Sequence, residues 1–139
     1  MSAWVITAFL PGVPLIYSSQ EVGYPTRINF FNYVFVDWET NSHLRNEYEK
    51  IMAIYNANEA LRKGRLTAYP TDDVALFERS LGSQRFLIAA NVRNTRQTIT
   101  LPAEFANKSN IDLYTGPSFT LTHELSLEPY EYKIFKLNK

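Results

Sequence analysis

The feature that most constrains this chain is a change of hydrophobic period at Gly64. Before it, Leu44, Tyr48, Ile51, Met52, Tyr55 and Leu61 recur every three or four residues, the spacing of one buried helical face. Asn41 or Ser42 offers an N-cap, Arg62 and Lys63 fill the last turn, and Gly64 follows, so a helix is expected over 43–63. After Gly64 the period falls to two. Val74 to Leu81 and Gln84 to Val92 read as strands joined by the hairpin signal Gly82-Ser83. Gln97 to Leu101 alternates with Ile99 and Leu101 inward, and Ile111 and Leu113 continue that pattern. Ser118 to Glu128 reads as one strand with Phe119, Leu121, Leu125 and Leu127 on one face, and Tyr130, Tyr132 and Ile134 line a last strand. Short strands separated by turns imply a small antiparallel sandwich or open barrel. The fold class is thus α+β, mainly β, with residues 1–64 forming one part and 65–139 an all-β domain.

The first segment has its own grammar. Trp4, Val5, Ala8 and Phe9 fall at helical spacing and Pro11-Gly12 stops them. Val13 to Tyr17 shows no alternation, which predicts a short strand covered on both faces, as in a parallel sheet. Ser18 to Ser42 has no period, and its aromatics, Tyr24, Phe30, Phe31, Tyr33, Phe35 and Trp38, predict a packed loop. Met1 to Tyr17 is apolar but has no basic start, and Pro11 and Pro14 interrupt a run too short for the roughly 20 apolar residues of a membrane span. No signal peptide and no membrane partner are expected, and the compartment stays open.

Composition removes several function classes. Lys plus Arg and Asp plus Glu number 14 each, so no basic field gathers nucleic acid. Without Cys, and with only His43 and His123, no thiolate chemistry and no metal site is expected. No cofactor is implied. Nine Tyr and nine Phe leave one ligand class open, since sugar rings stack on aromatic faces. Tyr69, Tyr114, Tyr130 and Tyr132 are the candidates, although strand-spaced tyrosines also fill core edges.

Leu10-Pro11-Gly12-Val13-Pro14-Leu15-Ile16-Tyr17-Ser18-Ser19-Gln20-Glu21-Val22-Gly23 resembles the eighth barrel strand and following loop of the α-amylase family, glycoside hydrolase family 13. Val36-Asp37-Trp38 resembles the element before the eighth helix, and Tyr48 to Gly64, ending Ala60-Leu61-Arg62-Lys63-Gly64, resembles that helix. The strands around Val74-Ala75-Leu76-Phe77 and Phe86-Leu87-Ile88-Ala89-Ala90-Asn91 resemble the family's C-terminal β-domain. Ser19 departs from the pattern, standing where the family commonly has Gly.

The resemblance implies a remnant of a (β/α)8 barrel followed by an amylase-type C-terminal sandwich. Retaining glycosidases need two carboxylates about 5 Å apart. In the family these come from earlier strands than any matched here, so this chain alone is expected to be non-catalytic, with no catalytic residue of its own. Gln20 and Glu21, on the loop after the eighth strand, would line or support the substrate cleft of an intact barrel. An α-glucan or maltooligosaccharide is the ligand implied. Two alternatives stand beside this reading: a starch-binding module, and an interaction domain whose N-terminal apolar segment self-associates or folds back against the sandwich.

The remaining polar groups have simpler readings. Asp72-Asp73 suits a turn, Glu128 and Glu131 around Pro129 a solvated connection, and Arg93 to Arg96 a hairpin tip. His43 is expected to be exposed and His123 half-buried at a sheet edge.

Overall fold

The computed structural model describes residues 1–138 and forms three layers. Helices α1 (Ser2–Phe9), α2 (Ser42–Ala57) and α3 (Glu59–Lys63) lie on one face of an antiparallel six-stranded sheet. That sheet runs β1 (Arg65–Ala68), β2 (Val74–Leu81), β3 (Gln84–Asn91), β8 (Tyr132–Lys136), β5 (Lys108–Asp112), β6 (Ser118–Leu121). Against its other face packs a two-stranded sheet of β4 (Gln97–Thr100) and β7 (Glu124–Leu127).

The centre of the large sheet is apolar on both sides. Successive strand residues point to opposite faces, so Phe86, Ile88 and Ala90 of β3 meet the helices while Leu87 and Ala89 meet the small sheet. Pairing places Ile88 beside Ile134 and Leu87 beside Phe135, which extends both cores onto β8. The helical side is closed by Trp4, Val5, Ala8 and Phe9 of α1 and by Tyr48, Ile51, Tyr55, Ala60 and Leu61 of α2 and α3. That core therefore runs across Gly64.

Several sequence expectations are corrected. Val13 to Tyr17 forms no strand, and Val13, Leu15 and Tyr17 are 91%, 71% and 54% exposed. A strand buried on both faces needs neighbours to take its backbone groups, and among the described residues no strand pairs with the segment. The 18–42 loop is irregular, but its aromatics are not packed: Phe31 is 96% and Tyr33 90% exposed. The helix over 43–63 is two helices broken at Asn58, which adopts extended backbone, and Asn41 turns its side chain to the Val22 carbonyl (2.8 Å) instead of capping.

On the β side, 118–128 divides at Thr122-His123 into strands of different sheets, β6 and β7. His123 is exposed rather than half-buried, its carbonyl accepting from Leu101 N (2.8 Å). The buried positions of β5 are Asn110 and Asp112, whereas Ile111 and Leu113 are half-buried. Tyr130 lies before β8 with φ 58° and is 57% exposed. The β2–β3 hairpin, the α1 stripe and the exposed His43 follow the sequence reading.

Gly64 has a steric role rather than the expected conformational one. Its backbone is extended, with φ −66°, yet a Cβ there would sit 2.3 Å from the Ala60 carbonyl oxygen and 2.7 Å from that of Ser80. Both are backbone atoms and neither can swing aside. Gly64→Ala is expected to cost about 3 kcal/mol of unfolding free energy in urea titration, at the upper end for overpacking.

One polar cluster ties the 102–106 turn to the sheet. Arg85 Nε and Nη2 donate as a fork to Glu78 (2.8 Å each), and Nη2 also reaches Glu104 (3.3 Å). The Tyr69 hydroxyl lies between Glu78 (3.3 Å) and Glu104 (3.1 Å), and burial together with these carboxylates pushes the phenol well above its usual range. The Arg85 hydrogen bonds hold the Glu78 carboxyl below its ordinary 4.5, against the effect of burial. A depressed carboxylate contributes stability that is present above its unfolded pKa and is lost as pH falls through the folded one. The urea midpoint is therefore expected to fall as pH drops below about 4.5, and Glu78→Gln should flatten that dependence.

Candidate functional site

The stretch from Pro11 to Asn41, which lies outside α-helix and strand, carries Gln20 and Glu21. A tight turn organises it. Ser19 sits in left-handed backbone (φ 62°, ψ 9°), Gln20–Val22 form a single 3-10 turn, and Gly23 (φ 63°) ends it. The Ser19 carbonyl accepts from Val22 N (3.3 Å) and Tyr24 N (3.2 Å). Val22, 1% exposed, pins the turn to the body of the protein, and Asn41 Nδ2 holds its carbonyl. Positive φ is costly for most residues other than Gly, so Ser19 holds this turn under backbone strain.

The two residues singled out from sequence part company here. Gln20 is exposed and accepts from Tyr17 N through Oε1 (3.1 Å), closing the turn from its other end. It lines a cleft of about 440 Å³ together with Tyr17, Tyr24, Thr26, Arg27 and Phe30. Glu21 does not line that cleft. It is half-buried, with Oε2 enclosed and without a hydrogen-bond partner. On the far side of Tyr24 a second cleft, of about 480 Å³, is bounded by Val22, Pro25, Phe35, Asp37 and Thr40. The Thr40 hydroxyl and the Glu39 amide hold the Asp37 carboxyl below its ordinary value, as in a local turn.

The first cleft offers aromatic faces, a side-chain amide and one guanidinium. That set suits a neutral, hydroxyl-rich ring, whose C–H face stacks while its rim hydrogen-bonds. It contains no carboxylate or imidazole, so none of its side chains is a proton-transfer group matched to neutral pH. Tyr17, Tyr24 and Arg27 were not chosen from sequence. The only available signal was a basic residue among aromatics in an aperiodic stretch, which packing explains equally well.

The four tyrosines lie in different settings. Tyr69 stacks edge-on against Phe105 (5.2 Å) and commits its hydroxyl to the Glu78–Glu104 cluster. Tyr132, 7% exposed, donates to Glu47 of α2, and burial followed by that carboxylate drives its phenol far above the usual range. Tyr114 packs edge-on to Tyr132 (5.1 Å) with Lys50 Nζ over its ring (4.4 Å). Tyr130 alone of the four presents an open ring.

Carboxylates that meet elsewhere among the described residues do so around a cation: Glu78 and Glu104 around Arg85, Asp112 and Glu131 around Lys133, Glu39 and Glu49 around Arg45. Asp73 pairs with Arg93 and Glu128 with Arg96. Among the described residues no cluster of three or more His, Asp or Glu side chains is placed to hold a metal ion.

Residues 65–134 match the family described as Maltogenic Amylase, C-terminal domain. Solved structures match over nearly the whole chain. An α-amylase from Geobacillus thermoleovorans complexed with acarbose gives a TM-score of 0.85 at 20% identity, covering 99% of this chain and 32% of that one. An Anoxybacillus α-amylase gives 0.83 at 22% identity, covering 96% and 30%. An AmyP variant in complex with maltotriose gives 0.80 at 17%, covering 99% and 34%. At these identities the likeness establishes the fold. The chain spans about a third of the length of these structures. No curated protein sequence matches it.

A glycine at the strained position should relax the turn. Ser19→Gly removes a left-handed non-glycine residue, worth about 1–3 kcal/mol, and adds back roughly 0.5–1 kcal/mol of unfolded-state entropy. A net gain of about 1 kcal/mol in chemical denaturation is expected, with no change in secondary structure by circular dichroism.

Proposed function

Because the chain belongs to the maltogenic amylase C-terminal domain family, we propose that it is the C-terminal part of a glycoside hydrolase acting on α-glucans and that this part performs no hydrolysis itself. The sandwich is a platform: it holds α1 and α2 against the large sheet and presents the 11–41 loop to the catalytic portion and its substrate.

The observation that carries this reading is the state of the carboxylates. A retaining site needs two of them about 5 Å apart, one ionised as nucleophile and one kept protonated as acid. Among the described residues the carboxylates that gather around one cation do so at Arg85, Lys133 or Arg45, and Glu78 is held ionised by the Arg85 guanidinium. Such groups are structural. In keeping with the maltotriose and maltose complexes of AmyP, a maltooligosaccharide is the ligand assigned to the cleft beside Gln20. Purified chain is expected to release no reducing sugar from starch, and turnover at a rate above background by homogeneous protein would overturn the proposal.

A second reading draws support from the loop. Val13, Leu15, Phe30, Phe31, Tyr33 and Phe35 are each at least 69% exposed, and large apolar side chains left open in such number on one loop favour association. In isolation the chain therefore self-associates. Light scattering should show mass rising with protein concentration, and Phe31→Ser with Tyr33→Ser should return it toward the monomer. A wild-type chain that stays monomeric across the accessible range would contradict this. The starch-binding alternative reduces to Tyr130, whose ring is open, and it requires that Tyr130→Ala lower retention on a starch column.

A further inference from the structure

The segment that leads into the loop is gripped at regular intervals through its backbone. Arg79 Nη1, from β2, donates to the Phe9 carbonyl (2.6 Å). The Tyr55 hydroxyl, from α2, donates to the Gly12 carbonyl (3.1 Å), and Trp4 Nε1, from α1, donates to that of Leu15 (3.2 Å). Three side chains on three elements thus hold carbonyls 9, 12 and 15. We propose that Arg79, Tyr55 and Trp4 are positioning residues that fix the path of residues 9–15, and through it the pose in which the Ser19–Gly23 turn offers Gln20 to a ligand.

Arg79 is the unusual member. It is 1% exposed, and among the described residues no carboxylate pairs with it and its Nε has no hydrogen-bond partner. A buried guanidinium costs several kcal/mol of desolvation unless something compensates. The compensation available is the negative end of α1, whose last carbonyls lack intrahelical partners and whose dipole favours a cation. An apolar side chain would serve the core at least as well. What only a long donor supplies is a bond to the helix end at the point where the chain leaves it through Pro11 and Gly12. Gly12, at φ 141°, takes a backbone conformation that other residues seldom adopt, and the Tyr55 hydroxyl anchors it there.

This deepens the proposed function by assigning the sandwich and α2 a direct part in posing the loop. Its test is independent of any glucan or activity. The chain has no cysteine, so Val13→Cys and, as a control on β4, Thr98→Cys each accept a single nitroxide label for electron paramagnetic resonance. In the Tyr55→Phe and Arg79→Met backgrounds the spectrum at position 13 should lose its slow component and narrow, while that at position 98 stays unchanged. Arg79→Lys, which keeps a donor, should restore much of the wild-type line shape. An unchanged spectrum at position 13 in Tyr55→Phe, or equal narrowing at both positions, would overturn the proposal. Should Arg79→Met fail to fold, the Tyr55→Phe spectra decide it alone.

Discussion

Everything in this molecule depends on β3 being buried on both faces. Phe86, Leu87, Ile88, Ala89 and Ala90 are all inaccessible to solvent, and because side chains alternate along a strand, that requires a cover on each side of the sheet. The small β4–β7 sheet supplies one and the α1–α2 helical layer the other. In this chain the helices before Gly64 supply one of those covers. The helices before Gly64 and the strands after it complete one another.

This constraint also explains which parts of the fold were legible in sequence. The β2–β3 hairpin was, because Gly82-Ser83 and two flanking apolar runs are local signals. So was the α1 stripe of Trp4, Val5, Ala8 and Phe9. Unbroken apolar character was misassigned at Val13 to Tyr17, where it has no partner within the chain, whereas the same character in β3 marks the doubly covered strand. The division of 118–128 between two sheets was hidden because Leu121 and Leu125 face one shared core from different strands. Alternation records which face is buried, not which sheet the strand joins.

The site was half legible. Gln20 lines the cleft, but Glu21, its neighbour in the same motif, faces inward because a 3-10 turn swings successive side chains by about a third of a revolution. The tyrosines show the same limit. Composition marks them as possible sugar contacts, yet the Tyr69 hydroxyl is shared between Glu78 and Glu104 and that of Tyr132 donates to Glu47. Such pairings join residues far apart in sequence and leave no local trace. Ser19 is the converse case: a departure from a family pattern, visible in sequence, whose physical meaning is a backbone angle.

In the proposed reading the loop and the sandwich act together, the sandwich holding the backbone from which the loop exposes its aromatic side chains. The most direct measurement of that account is the thermal unfolding of a chain shortened to residues 65–139. Without α1, α2 and α3, one face of β3 loses its cover, and the shortened chain is expected to show no cooperative transition in calorimetry while the full chain melts as one unit. A shortened chain that unfolds cooperatively at the full chain's temperature would show that the sandwich stands alone, and the account would fail.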